Sequence, residues 1–255
     1  MLKSNYMIKY LFTSVTWFLM LVGVIVNGQS FGVKSFDGRN RAINVLSHDI
    51  ARTLIISSLT DTITIKDFNG LTGEIKVLNK SFLRIDYRVR AGTGMDLKRT
   101  IILCVSGRHL IQSLDVTSFF KEEFIDFSKP VDTANLVDVK TVYALQLNLK
   151  DDVQRHYILH IKIHDTRRSK SEPKTNYAHD SEVDLSYDST RNIFYSTHKK
   201  TSRYFTIYDP KTGKDRKRYI RGTFPAVKLG EYEYYLIKNV WYEKNRYGDL
   251  TRYSY

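Results

Sequence analysis

The sequence predicts a mainly β protein: an antiparallel β-sandwich or a set of packed β-meanders, with one short N-terminal helix. Three observations carry this expectation. Ile101–Val105 is an unbroken apolar run rich in β-branched residues, closed by Ser106-Gly107-Arg108 and followed by a second apolar run to Val116. Such a pair reads as a hairpin whose first strand is buried on both faces. Apolar residues elsewhere alternate with polar ones, as in Leu83, Ile85, Tyr87 and Val89 against Arg84, Asp86 and Arg88. That period of two gives a strand one dry and one wet face. Gly- and Pro-containing turn signals punctuate these runs, Asp209-Pro210-Lys211-Thr212-Gly213 most clearly.

At the N-terminus, Lys3 and Lys9 precede the uncharged stretch Leu11–Val26, and small residues occupy Val26 and Gly28. This resembles a bacterial secretory signal peptide spanning residues 1–28, with cleavage leaving Gln29 first. The protein is therefore expected to be exported, periplasmic or extracellular. The alternative is a chain anchored to the membrane by an uncleaved N-terminal segment. Residues 29–255 are expected to form a single exported β-rich domain, with a possible subdivision in the polar segment 165–192.

Ser30–Asn44 reads as a polar lead-in. Val45–Ser57 is the helix candidate: Leu46, Ile50 and Leu54 recur every four residues, and Asn44 or Ser47 would cap the start. Strands follow around Ile63 and Ile65, around Ile75 and Val77, and over Phe82–Val89. Phe119–Phe127 suits a helical turn or a strand. Thr141–Leu149 and His156–His164 form the clearest hairpin, with Tyr143, Leu145, Leu147, Leu149, Tyr157, Leu159, Ile161 and Ile163 inward. Asp165–Asn192 is almost wholly polar and reads as a long loop, with a short edge strand at Val183, Leu185 and Tyr187. The remainder is β-rich, and 13 of the 18 tyrosines follow residue 176.

Cys104 is the single cysteine, so no internal disulfide forms, and its apolar setting predicts a buried, unreactive thiol. Formal charge is +13 over the whole chain. The first 28 residues hold two basic residues and no acid, which leaves 38 basic against 27 acidic residues, +11. Such a surface favours polyanions. Export points away from nucleic acid and toward an anionic glycan, a lipid headgroup or an envelope protein.

No local motif specifies catalysis, a metal or a cofactor. His156, His160 and His164 sit four apart on a predicted strand, about 13 Å between neighbours, too far to share one zinc ion. Asp180, Glu182 and Asp184 resemble the start of a calcium loop, but Leu185 and Arg191 stand where that loop needs Gly and Glu. Gly92-Thr93-Gly94 is flanked by Arg88, Arg90, Lys98 and Arg99, yet strands on both sides make it a hairpin loop instead of a phosphate cradle. The strongest binding signal is basic and aromatic: Tyr204, Tyr208, Arg216, Arg218, Tyr219 and Arg221, followed by Trp241 and Tyr242. Aromatic faces stack on sugars, and guanidinium groups hold anions. These features predict a non-catalytic binding or envelope-associated protein. The alternatives are an exported glycosidase-like hydrolase with dispersed carboxylates and a structural or assembly subunit of the cell envelope.

Overall fold

The computed structural model describes residues 26–48, 50–125, 137–151, 156–209, 212–245 and 247–253. Residues 1–25, most of the stretch expected to be a signal peptide, lie outside the described residues. The chain is mostly strand, arranged as three consecutive meanders. The first is a four-stranded sheet of β1 (Val26–Lys34), β2 (Asn40–His48), β3 (Thr53–Ser58) and β4 (Asp61–Ile65), in sequence order. The second is an eight-stranded antiparallel sheet, again in sequence order: β5 (Phe68–Leu78), β6 (Phe82–Val89), β7 (Met95–Ser106), β8 (His109–Ile125), β9 (Val137–Asp151), β10 (Tyr157–Ser169), β11 (Tyr177–Asp188) and β12 (Ile193–Tyr195). The third is a small closed barrel of β13 (Thr197–Asp209), β14 (Lys214–Leu229), β15 (Tyr232–Ile237), β16 (Val240–Lys244) and β17 (Leu250–Thr251). Parallel pairing of β17 with β13 closes it.

The central sheet is dry on both faces, and β7 shows why. Its odd residues Ile101, Leu103 and Val105 pack with Ile43, Val45, Leu54 and Ile56 of the first sheet. Its even residues Ile102 and Cys104 pack with Val227, Leu229, Leu236 and Trp241 of the barrel. All five consecutive side chains from Ile101 to Val105 are fully buried. At about 1.5–3 kcal/mol for each large apolar side chain, this strand is a main source of stability. The Thr100–Val116 hairpin has the expected turn, with Gly107 at φ +61°. Aromatic packing consolidates the second core: the Phe82 ring lies 5.1–5.7 Å from the rings of Phe36, Tyr157, Tyr187 and Phe194.

The helix expected over Val45–Ser57 is instead the β2–β3 hairpin. Ile43, Val45, Leu54 and Ile56 are buried at a period of two, whereas Ile50, central to the helical stripe, is 74% exposed. Two periodicities overlap in this stretch, and packing against the central sheet selects the β one. The Ser30–Asn44 lead-in is likewise ordered, as the paired strands β1 and β2. The segment 165–192 is the end of β10, one 3₁₀ turn at Pro173–Thr175, and the twelve-residue β11.

Candidate functional site

The basic and aromatic residues predicted to bind a ligand fall on the β13–β14 hairpin. Its register runs from Thr197 opposite Ala226 to Asp209 opposite Lys214. At the tip, the Asp209 carbonyl accepts the Gly213 amide at 2.8 Å, and Gly213 takes φ +65°. Beyond Ile220 the strand outruns the barrel core, so Lys214–Tyr219 are exposed on both faces.

Alternation sorts the predicted residues onto those two faces. On the outer face Tyr204 lies opposite Tyr219, their ring centroids 5.1 Å apart and the rings tilted by 55°. Tyr204 is 70% and Tyr219 53% exposed. A hydrogen bond of 2.7 Å joins the Ser202 hydroxyl to the Tyr219 hydroxyl. Arg221, opposite Ser202, and Lys217, opposite Thr206, flank the ring pair on either side. Adjacent rungs on one face are about 7 Å apart, the spacing of neighbouring groups along an extended ligand. Tyr204, Thr206, Lys217 and Asp249 border a shallow concavity of about 400 Å³.

Arg216 and Arg218 occupy the inner face, opposite Ile207 and Phe205. With Tyr208, Asp209, Tyr242 and Arg252 they border a concavity of about 150 Å³ at the barrel mouth. Tyr242 is largely buried in the barrel core and reaches this concavity. Trp241 does not belong to the surface. It is 2% exposed, packs between the barrel and the central sheet, and donates its indole N–H to the Gln112 carbonyl at 3.0 Å. Its place in β16 puts it on the face that the central sheet covers, so it is a core anchor and not a stacking platform.

The other residues singled out in the sequence find partners or burial. On the exposed face of β10 and β11, His160 Nδ1 lies 2.7 Å from Asp184, Lys162 Nζ 3.2 Å from Glu182, and His164 Nδ1 2.6 Å from Asp180. These are directly opposed residues of the two strands. The residues read as a calcium-like acidic loop are thus one side of a cross-strand charge ladder. Gly92-Thr93-Gly94 is a hairpin loop between β6 and β7. Cys104 is fully buried, its sulfur accepts the Ser113 hydroxyl at 3.2 Å, and burial raises the thiol pKa to about 11.

Two features leave no local pattern in the sequence. A cleft of about 530 Å³ opens where the three meanders meet, bordered by Asp61, His109, Ile111, Arg191, Val240 and Arg252 among others. Asp61 accepts the Leu110 amide at 2.9 Å and holds His109 Nδ1 at 3.2 Å. Asp61 is the single carboxylate among the described residues that line it. Beneath the junction, the buried Arg99 guanidinium contacts Asp115, Thr117 and Glu243, and the Tyr253 ring lies 3.9 Å over it. These partners come from the stretches around residues 115–117, 243 and 253, so no window of sequence displays them with Arg99.

No protein-family model, curated protein or solved structure matches the chain.

Proposed function

We propose that this chain is an exported, non-catalytic binding protein that holds an anionic glycan on the outer face of the β13–β14 hairpin. The supporting observation is the exposed Tyr204–Tyr219 pair, with Arg221 and Lys217 on the rungs beside it. Two rings offer a platform for the apolar face of a sugar, and the flanking cations reach acidic substituents. The formal charge of +11 after removal of residues 1–28 brings a polyanion toward this face over long range. Cleavage after Gly28 would remove Val26–Gly28 from β1 and leave Gln29–Lys34 paired with Asn40–Val45 of β2.

A glycan suits the rungs better than a lipid headgroup does. The exposed large side chains at the hairpin are tyrosines, which carry a hydroxyl and suit a wet interface. The hydrolase alternative has less support, since a two-carboxylate mechanism sets a pair of acids about 5–9.5 Å apart across a cleft. The junction cleft presents Asp61 alone among its described lining residues.

The test is calorimetric titration of residues 29–255 with a uronic-acid oligosaccharide and its neutral counterpart, at low and high salt. Binding of the acidic chain is expected, weakened by salt and reduced about tenfold or more in Tyr204→Ala/Tyr219→Ala, in line with roughly 1–3 kcal/mol per stacked ring. Absence of binding at low salt, or equal binding by the variant, removes the reading.

A further inference from the structure

We infer that the mouth of the barrel is a separate site for a tetrahedral oxyanion, a sulfate or phosphate ester, held by Arg216, Arg218 and Arg252. This goes beyond the glycan reading: Arg216 and Arg218 share the face of the hairpin that carries Phe205 and Ile207, beyond the edge of the barrel core, while Tyr204 and Tyr219 project from the other face.

Arg216 and Arg218 are two residues apart on one strand and share a face, an arrangement that costs free energy through like-charge repulsion. Among the described residues neither has a hydrogen-bonded or ion-paired partner. Arg252, one residue past β17, borders the same concavity. Among the described residues that line the concavity, Asp209 is the single carboxylate, and its Oδ2 already accepts the Thr212 hydroxyl at 3.0 Å. Arg216 and Arg218 alone therefore bring about two units of unpaired positive charge to the site.

Size and donor geometry narrow the occupant. The concavity is compact, about 150 Å³ against about 400 Å³ on the outer face, and suits a single small group. Guanidinium presents paired N–H donors that match two oxygens of a phosphate or sulfate at once. Tyr208 and Tyr242 also border the concavity. Tyr242 and Ile207 are rooted in the packed barrel core, so the floor of the site is fixed before a ligand arrives.

The experiment titrates residues 29–255 with inorganic phosphate, inorganic sulfate and acetate at constant ionic strength, following amide shifts of the hairpin. Saturable binding of phosphate and sulfate, with weaker acetate binding, is expected. Arg216→Gln/Arg218→Gln should weaken both tetrahedral ions at least about tenfold, and Arg218→Lys should weaken them severalfold, because Lys keeps the charge and loses the fork. Both arginines are exposed, so the fold is expected to survive, checked by near-UV circular dichroism. Unsaturable shifts in the unsubstituted protein, or equal affinity in the glutamine variant, overturn the site. Binding restored fully by Arg218→Lys overturns the bidentate geometry. Tyr204→Ala/Tyr219→Ala should leave phosphate and sulfate binding unchanged, so this site and the glycan platform fail separately. A sulfated oligosaccharide against glycerol phosphate then distinguishes the two sources of the ester.

Discussion

Arg99 Nη1 donates to Glu243 Oε2 at 2.6 Å, joining β7 of the central sheet to β16 of the barrel across 144 residues of chain. The same guanidinium donates through Nε and Nη2 to Asp115 Oδ1, at 3.1 and 2.8 Å. Thr117 bridges, donating its hydroxyl to Glu243 while its amide donates to the Tyr234 hydroxyl. Arg99 and Asp115 are each 1% exposed. The network therefore fixes how the barrel seats on the sheet, because two carboxylates from different meanders depend on one buried cation.

Removing that cation strands both acids. Arg99→Met should cost about 3–5 kcal/mol in urea denaturation, since an uncompensated buried charge remains. Replacing all three charges, Arg99→Met/Asp115→Leu/Glu243→Met, should recover much of the loss, because an apolar set of similar volume needs no partner. A cost below about 1 kcal/mol for Arg99→Met alone contradicts the hub.

Cys104 offers a second check on the double-sided core. Burial holds its thiol near pKa 11, so the thiolate is scarce at neutral pH. Alkylation of the native protein at pH 8 should be negligible and become complete in urea. Cys104→Ala should fold with a loss of about 1–2 kcal/mol from the small cavity. Cys104→Asp should cost several kcal/mol, through a buried charge among apolar side chains such as Phe82, Leu114 and Phe194. Rapid alkylation of the folded protein would refute the assignment.

How far the fold was legible follows from the same residues. The β7–β8 hairpin is readable because its unbroken apolar run matches a strand buried on both faces, and β9–β10 because every second side chain is apolar and the buried face matches it. Val45–Ser57 is misread because Leu46, Ile50 and Leu54 also fit a helical stripe, and the deciding contacts come from a separate sheet. Segment 165–192 hides β11 because most of that strand is exposed on both faces, leaving little apolar alternation to detect. Its pairing rests instead on His160–Asp184 and its neighbours, whose partners only the register reveals. The hairpin residues are evident from composition, but their division into two faces follows from the Tyr204–Tyr219 register, and Trp241 reads as a surface residue because an aromatic in a segment with Lys244 and Arg246 looks alike in both settings.

Gly94 is a position where the backbone requires glycine. Its φ is +80°, and a Cβ there would stand 2.7 Å from the Glu123 carbonyl oxygen of β8. The Gly94 carbonyl also accepts the Glu123 amide at 2.9 Å, so the loop cannot withdraw without losing a hydrogen bond. Gly94→Ala should cost at least about 2 kcal/mol, from left-handed strain and the backbone clash together. Gly107→Ala isolates the strain: φ is +61° but nothing lies within 4 Å of the added carbon, so about 1 kcal/mol is expected. Equal melting shifts for the two variants would exclude the clash.

Glu233 links barrel stability to pH. Burial opposes its charge, but Lys199 at 2.8 Å and Lys244 at 2.9 Å outweigh that and hold its pKa down to about 2, from an ordinary value near 4.5. A carboxyl whose folded pKa is depressed stabilises the fold above the ordinary value. That contribution is lost as pH falls from about 4.5 toward 2, where the folded form also protonates. Stability measured by urea denaturation should therefore drop across this window in the unsubstituted protein. Glu233→Gln should be less stable at pH 7 and show a shallower slope between pH 5 and 2, because one titrating group is gone. Parallel curves for the two proteins would show that the lysine pair contributes nothing to folding.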